Sequence, residues 1–126
     1  MSRIFVILMT LFMFGGVAYV FQPDLFSANG LKLEGAAAIS DVRTMYGTFP
    51  IALGVFLAPG ALRKTGHKME LRLITFIFAG LVAGRLLGLA LDKGEQSFTT
   101  TALMFEAAVL VVSGVLLQRE MKRKLA

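Results

Sequence analysis

The chain has no cysteine and no tryptophan, and only one histidine and three prolines in 126 residues. Without cysteine there are no disulfides, no thiolate metal ligands and no Cys redox chemistry, and the redox compartment is left undetermined. The single histidine, His67, stands among Arg63, Lys64 and Lys68 in a polar connection, which gives little support to haem or metal ligation. No nucleophile–base pair, phosphate loop or nucleotide motif is present. Charge is scarce too: Asp, Glu, Lys and Arg make up 17% of the residues, against roughly 25% in ordinary soluble domains.

Apolar residues fill the gap. The hydrophobic fraction is 56% and the mean hydropathy is +0.74. A soluble domain of this size could not hide so much apolar surface, so the bilayer is the natural solvent. One domain is expected over residues 1–126. Four runs approach the roughly 20 residues needed to cross about 30 Å of hydrocarbon: residues 4–21, 42–62, 71–91 and 98–117. The first follows Arg3, as a signal peptide would, but it is long for that role and no small-x-small cleavage site follows, so a retained helix is expected. The expected fold is an all-α integral membrane four-helix bundle with antiparallel up-down topology.

Charge sets the orientation. Arg3, the loop with Arg63, Lys64, Lys68 and Arg72, and the tail with Arg119, Lys122, Arg123 and Lys124 fall on one side. The other side mixes Lys32, Arg43 and Lys93 with Asp24, Glu34, Asp41, Asp92 and Glu95. The positive-inside rule places both termini in the cytoplasm of a multi-pass protein of the cell inner membrane. The excess of five positive charges then reads as a topology signal and a contact for anionic headgroups. Nucleic-acid binding is not supported, because no aromatic or Gly-rich interleaving accompanies it.

The connection at 22–41 lies on the outer side. Pro23 and Asp24 suit a short helical turn through Leu25 and Phe26, and Asn29-Gly30 suits a turn. Phe26, Leu31, Leu33 and Ile39 let the connection lie along the interface, and Ser40 or Asp41 is the expected N-cap of the second span. The polar connection from Asp92 to Ser97 is short, which makes the third and fourth spans antiparallel neighbours. Within the spans, Gly80, Gly84 and Gly88 form a doubled GxxxG ridge that lets a partner backbone approach. Gly47, Gly54, Ala102, Ser113 and Gly114 are read as the small surfaces facing it, with a homo-oligomer seam as the other use. Pro50 cannot donate to Tyr46, nor Pro59 to Val55, so a bend is expected at Pro50.

Two charges interrupt the apolar runs: Arg85 and Glu106. A charge at the bilayer centre costs about 2.5–3.5 kcal/mol on insertion scales and persists where it is paired or lines a polar cavity. Arg85 lies seven residues before Asp92 and Glu106 eight after Phe98, depths of about 10 and 12 Å at the helical rise. The two should meet, the Arg fork taking the carboxylate in two-point fashion. On the second span Arg43, Tyr46, Gly47 and Pro50 share a stripe that starts at the outer interface. One outer-half cluster is therefore expected: Arg85, Glu106, Arg43, Tyr46 and Asp92, with Asp41 beside them. It reads equally as a structural lock between helices or as a ligand pocket, with Arg43, Tyr46 and Asp92 alternatively as interfacial anchors. A proton path is disfavoured because no titratable chain continues into the cytoplasmic half. Met9, Met13 and Met104 read as packing or lipid-facing residues.

The segments Arg43-Thr-Met-Tyr-Gly47 and Gly84-Arg-Leu-Leu-Gly-Leu-Ala-Leu-Asp92 resemble the DUF4345 type, a family of small bacterial four-span membrane proteins without an assigned activity. The likeness covers essentially the whole chain, and it extends more distantly to the DoxX-like group. That kinship implies the fold far more than a chemistry. Some DoxX-like proteins are associated with quinone-linked oxidation of sulfur compounds. With no cysteine or membrane histidine here, it would imply only a quinone-pocket or accessory role, with a membrane-complex partner carrying the redox centre. The expected function is thus a non-enzymatic accessory or small-ligand-binding protein, with quinone or lipid as the ligand class and no built-in cofactor. A quinone-linked oxidoreductase subunit and a small proton-coupled transporter are the alternatives.

Overall fold

The computed structural model describes residues 1–25, 32, 34–91 and 97–125, with the side chains at 97, 98 and 123–125 excepted. Every regular element among them is helical: α1 (Ser2–Phe14), α2 (Val17–Phe21), α3 (Gly35–Arg43), a π-helical segment (Thr44–Thr48), α4 (Phe49–Leu62), α5 (Lys68–Leu91) and α6 (Ser97–Leu125). Four continuous helical stretches are long and apolar enough to cross a membrane: Ser2–Phe21, Gly35–Leu62, Lys68–Leu91 and Thr99–Lys122. The chain divides into two compact units, Arg3–Lys64 and Thr65–Ala126, the latter with Met1–Ser2.

The first unit is an antiparallel helical hairpin closed by small residues. The expected span at 4–21 is present as Ser2–Phe21, built from α1 and α2 with a turn at Gly15-Gly16 where backbone bonds shorten to three-residue steps (Gly16 N–H to Met13 O, 3.1 Å; Tyr19 N–H to Gly16 O, 3.0 Å). Two glycines in succession weaken helix continuity. Their use here is proximity. A Cβ placed on Gly16 would lie 2.7 Å from the carbonyl oxygen of Gly47 and 3.0 Å from that of Tyr46. One on Gly47 would meet the Val20 Cγ2 at 2.7 Å, and one on Gly54 would lie 3.3 Å from Met13 and from the Phe14 ring. Arg3 also donates to the Ala61 carbonyl at 3.5 Å. The contacts of residues 3, 13 and 16 fall in turn on 61, 54 and 47, which makes the two stretches antiparallel. Met9 and Met13 are buried, as is Val6, and the Thr10 hydroxyl donates to the Val6 carbonyl at 2.7 Å.

The second stretch begins at Gly35 rather than near Val42, and Glu34, not Ser40 or Asp41, stands at its N-cap without a side-chain cap bond. Gly35 has φ +85°, a left-handed entry that glycine makes without a Cβ penalty. Just before Pro50, where a bend was expected, the helix takes one π turn: the Phe49 N–H reaches the Thr44 carbonyl, five residues back. Pro50 then sits in the first turn of α4, where no N–H is required of it. Pro59 lies inside α4 as expected, and its carbonyl accepts from the Arg63 N–H at 3.2 Å. The turn expected at Pro23 is present through Leu25, whose N–H bonds the Gln22 carbonyl at 3.1 Å. The expectations for Phe26, Asn29, Gly30, Leu31 and Leu33 lie outside the described residues.

The second unit is the α5–α6 hairpin. Leu71 and Phe78 on α5 are buried, and with Thr75, Val82 and Arg85 they step by three and four along one face. On α6, Glu106, Val109, Ser113 and Leu116 are buried at the same spacing. Arg85 bonds Glu106 and Thr75 bonds Ser113; the partner number rises as the α5 number falls, so the helices are antiparallel neighbours, as the short connection implied. At Gly80 and Gly84 the expected ridge makes no close approach within this hairpin. A Cβ on Gly80, Gly84 or Gly114 would meet nothing within 4 Å, whereas Gly47 and Gly54 face the first span. The close approaches are made in the first hairpin. The second is joined by polar side chains.

Candidate functional site

Arg85 and Glu106 meet in two-point geometry. Arg85 Nε donates to Glu106 Oε2 and Arg85 Nη2 donates to Glu106 Oε1, both at 3.2 Å. Parallel N–H···O bonds match the guanidinium fork to the carboxylate plane and roughly double the strength of a neutral bond. The pair is unequally covered: the Arg85 side chain is 21% exposed and that of Glu106 9%. The carboxylate is therefore the enclosed member and the guanidinium the accessible one. Gly84, next to Arg85, has open space where its side chain would be.

Roughly 15 Å further along α5 by the helical rise, a second polar link joins the helices. Thr75 Oγ1 lies 2.7 Å from the Leu71 carbonyl and 3.0 Å from Ser113 Oγ, and Ser113 Oγ lies 3.1 Å from the Leu110 carbonyl. Two hydroxyl protons serve three contacts, so an interhelical bond forms in two arrangements, Thr75 to Ser113 to Leu110 or Ser113 to Thr75 to Leu71, and is absent only where each hydroxyl donates to its own helix. The Thr75–Ser113 contact thus supplies at most one interhelical bond. Interhelical side-chain hydrogen bonds of this kind average about 0.6 kcal/mol, so Ser113→Ala should lower hairpin stability by about that amount, as measured by unfolding in bicelles. Thr75→Val should cost about the same, and the double variant hardly more than either alone.

Arg43 and Tyr46 each make a contact within the first hairpin. Arg43 Nε donates to the Val20 carbonyl at 2.8 Å. That carbonyl lies in the last turn of α2, where helix oxygens lack intrahelical donors and cations are favoured. Tyr46 pairs with Tyr19, ring centroids 6.3 Å apart and tilted by 55°, an edge-inclined aromatic geometry. Asp92 lies outside the described residues. The structure brings Arg85 to Glu106, and it brings Arg43 and Tyr46 to the α2 segment.

The enclosure of His67 and Glu70 is a departure from the sequence reading. His67, placed by sequence in a polar connection, is 2% exposed and Glu70 is buried. The His67 carbonyl accepts the Leu71 N–H at 3.0 Å, which makes His67 the N-cap of α5 and Glu70 its third residue. A carboxylate there is favoured by the helix N-terminus and is the position of a capping box. The H-x-x-E spacing ahead of an apolar run was the available signal. Among the described residues, no group of three or more His, Cys, Asp or Glu lies together to hold a metal ion.

No curated protein and no solved structure matches the chain. The family model described as a domain of unknown function (DUF4345) matches residues 1–117. With nearly its whole length matched, and with four helices able to cross a membrane, the chain belongs to the DUF4345 family.

Proposed function

We propose that this is a multi-pass protein of the cell inner membrane, with both termini cytoplasmic, that acts as a non-enzymatic accessory subunit by binding a lipid- or quinone-like ligand at Arg85. The observation that carries the reading is the two-point Arg85–Glu106 pair with the cation as its accessible member. A lock between helices needs only that the two charges neutralise one another. A cation that is held by an enclosed carboxylate and keeps 21% of its side chain exposed can also receive an anionic or carbonyl oxygen. Glu106 would position Arg85, and Arg85 would make the contact. The apolar surfaces of α5 and α6 around it suit a ligand with a hydrocarbon or isoprenoid body.

The test is the amphiphile that copurifies in mild detergent, extracted and identified by mass spectrometry. Arg85→Gln should reduce it at least tenfold, since the replacement keeps polarity but removes the charge and the fork, and Arg85→Lys should retain part of it. Undiminished ligand in Arg85→Gln, with the helical content of the wild type, would overturn the reading and leave the pair a structural lock.

A further inference from the structure

A basic cluster lies at the other end of the α5–α6 hairpin from Arg85. Antiparallel pairing puts the start of α5 and the end of α6 together. Lys68 and Arg72 are one turn apart on α5, and Arg119 and Lys122 one turn apart on α6. Arg72, Arg119 and Lys122 are exposed and Lys68 is half-buried. None of the four makes a hydrogen bond or ion pair among the described residues. The nearby acids are Glu120 and the enclosed Glu70, so the formal charge of these six positions is four minus two, a surplus of two, and Arg123 and Lys124 follow in sequence.

Depth decides what such cations meet. The headgroup layer is about 5–7 Å thick on each side of the hydrocarbon. Helix α6 continues without a break to Leu125, so Arg119 lies about 3 Å beyond Leu117 and Lys122 about 7.5 Å beyond it. Lys68 lies about 4.5 Å before Leu71 on α5. Arg72 stands just inside and reaches the same layer with its stem along the apolar surface. With the apolar runs ending at Leu71 and Leu117, as read from the sequence, continuation of both helices carries these charges to the depth of the lipid phosphates. The interior cation Arg85 has a protein carboxylate for a partner; these have none among the described residues.

We propose that this basic end of the hairpin binds anionic phospholipid headgroups, the lipid phosphate serving as the counter-ion that the protein does not supply. Nucleic acid, the other polyanion, is disfavoured by the absence of aromatic residues interleaved with these charges.

The test uses the full chain reconstituted in symmetric phosphatidylcholine vesicles, with spin-labelled phosphatidylglycerol or phosphatidylcholine as probe. Symmetric vesicles present the same lipid to either orientation, so a topology signal alone gives no selectivity. The wild type should hold phosphatidylglycerol in preference to phosphatidylcholine, by up to about fivefold for each engaged charge. R119Q/K122Q should lose part of that preference and K68Q/R72Q/R119Q/K122Q nearly all of it, while the charge-keeping R119K/K122R retains it. Sodium chloride at high concentration should weaken it, because exposed charges are screened. Equal association of the two lipids with the wild type would overturn the proposal. So would an unchanged preference in the quadruple variant, or displacement by inorganic phosphate beyond that by sodium chloride at matched ionic strength. Because Arg85 is untouched, failure here leaves the proposed ligand site standing, and the converse also holds.

Discussion

Glu106→Leu should destabilise the protein by about 3–5 kcal/mol, because it strands the Arg85 guanidinium without its counter-ion inside the α5–α6 hairpin. Arg85→Leu should be nearly as costly, since it leaves the Glu106 carboxylate enclosed at 9% side-chain exposure without its donors. The double variant Arg85→Leu/Glu106→Leu should recover most of the loss: two apolar side chains need no desolvation in a bilayer, and replacing a buried ion pair by apolar residues is often neutral or better. The coupling between the two changes is therefore expected to be large and positive, about 3 kcal/mol or more, well above the values typical of hydroxyl pairs between membrane helices. Reversible unfolding in bicelles of the four proteins in the cycle measures it. Additive losses, with the double variant as weak as the sum of the singles, would show that the bonds at 3.2 Å contribute no net coupling.

That pair was legible in the sequence for a simple reason. Two charges inside apolar runs are conspicuous, a polar connection of a few residues forces the runs together, and counting helical rise from that connection puts both charges at one depth. None of these steps needs knowledge of a third helix. The four spans were legible on the same footing, because length and hydropathy are local properties. Arg43 and Tyr46 mark the limit of the same logic. Their stripe on the second span suggests a face toward Arg85; within their own hairpin Arg43 bonds Val20 and Tyr46 pairs with Tyr19, contacts that the stripe by itself does not name. A stripe tells which residues share a face, not which neighbour the face meets.

The glycines make the same point more sharply. A repeated GxxxG in the third span outweighs the single glycines elsewhere as a packing signal, yet Gly80 and Gly84 meet nothing within their own hairpin, and in the first hairpin it is Gly16 that does the close packing. The π turn at Thr44–Thr48 was hidden for a related reason. Sequence shows that Pro50 lacks a donor, but how the helix accommodates it depends on what presses against it. Likewise, His67 was hidden by its charged neighbours, although the Glu70 three residues on carried a capping signal.

Gly16→Ala should be the most damaging single methyl that can be added to the first hairpin. The new Cβ would fall 2.7 Å from the Gly47 carbonyl oxygen and 3.0 Å from that of Tyr46. Both are backbone atoms held in the π turn, so no side chain can rotate aside. Relief requires the two stretches to separate, which also parts Met13 from Gly54 and Val20 from Gly47. Overpacking of this kind costs about 1–3 kcal/mol, and Gly16→Val should exceed that range because its added methyl groups point at the same backbone. Gly47→Ala should cost somewhat less than Gly16→Ala, since its closest clash, at 2.7 Å, is with the Val20 side chain, which has some freedom to turn. Gly80→Ala and Gly84→Ala should do the opposite and raise stability by up to about 0.5–1 kcal/mol, the helix-propensity gain of alanine over glycine where nothing is obstructed. Thermal unfolding of the four single alanine variants in one detergent ranks them. If Gly84→Ala proved as harmful as Gly16→Ala, the ridge on α5 would have to be packed against a neighbour, and a second copy of the chain would become the natural occupant.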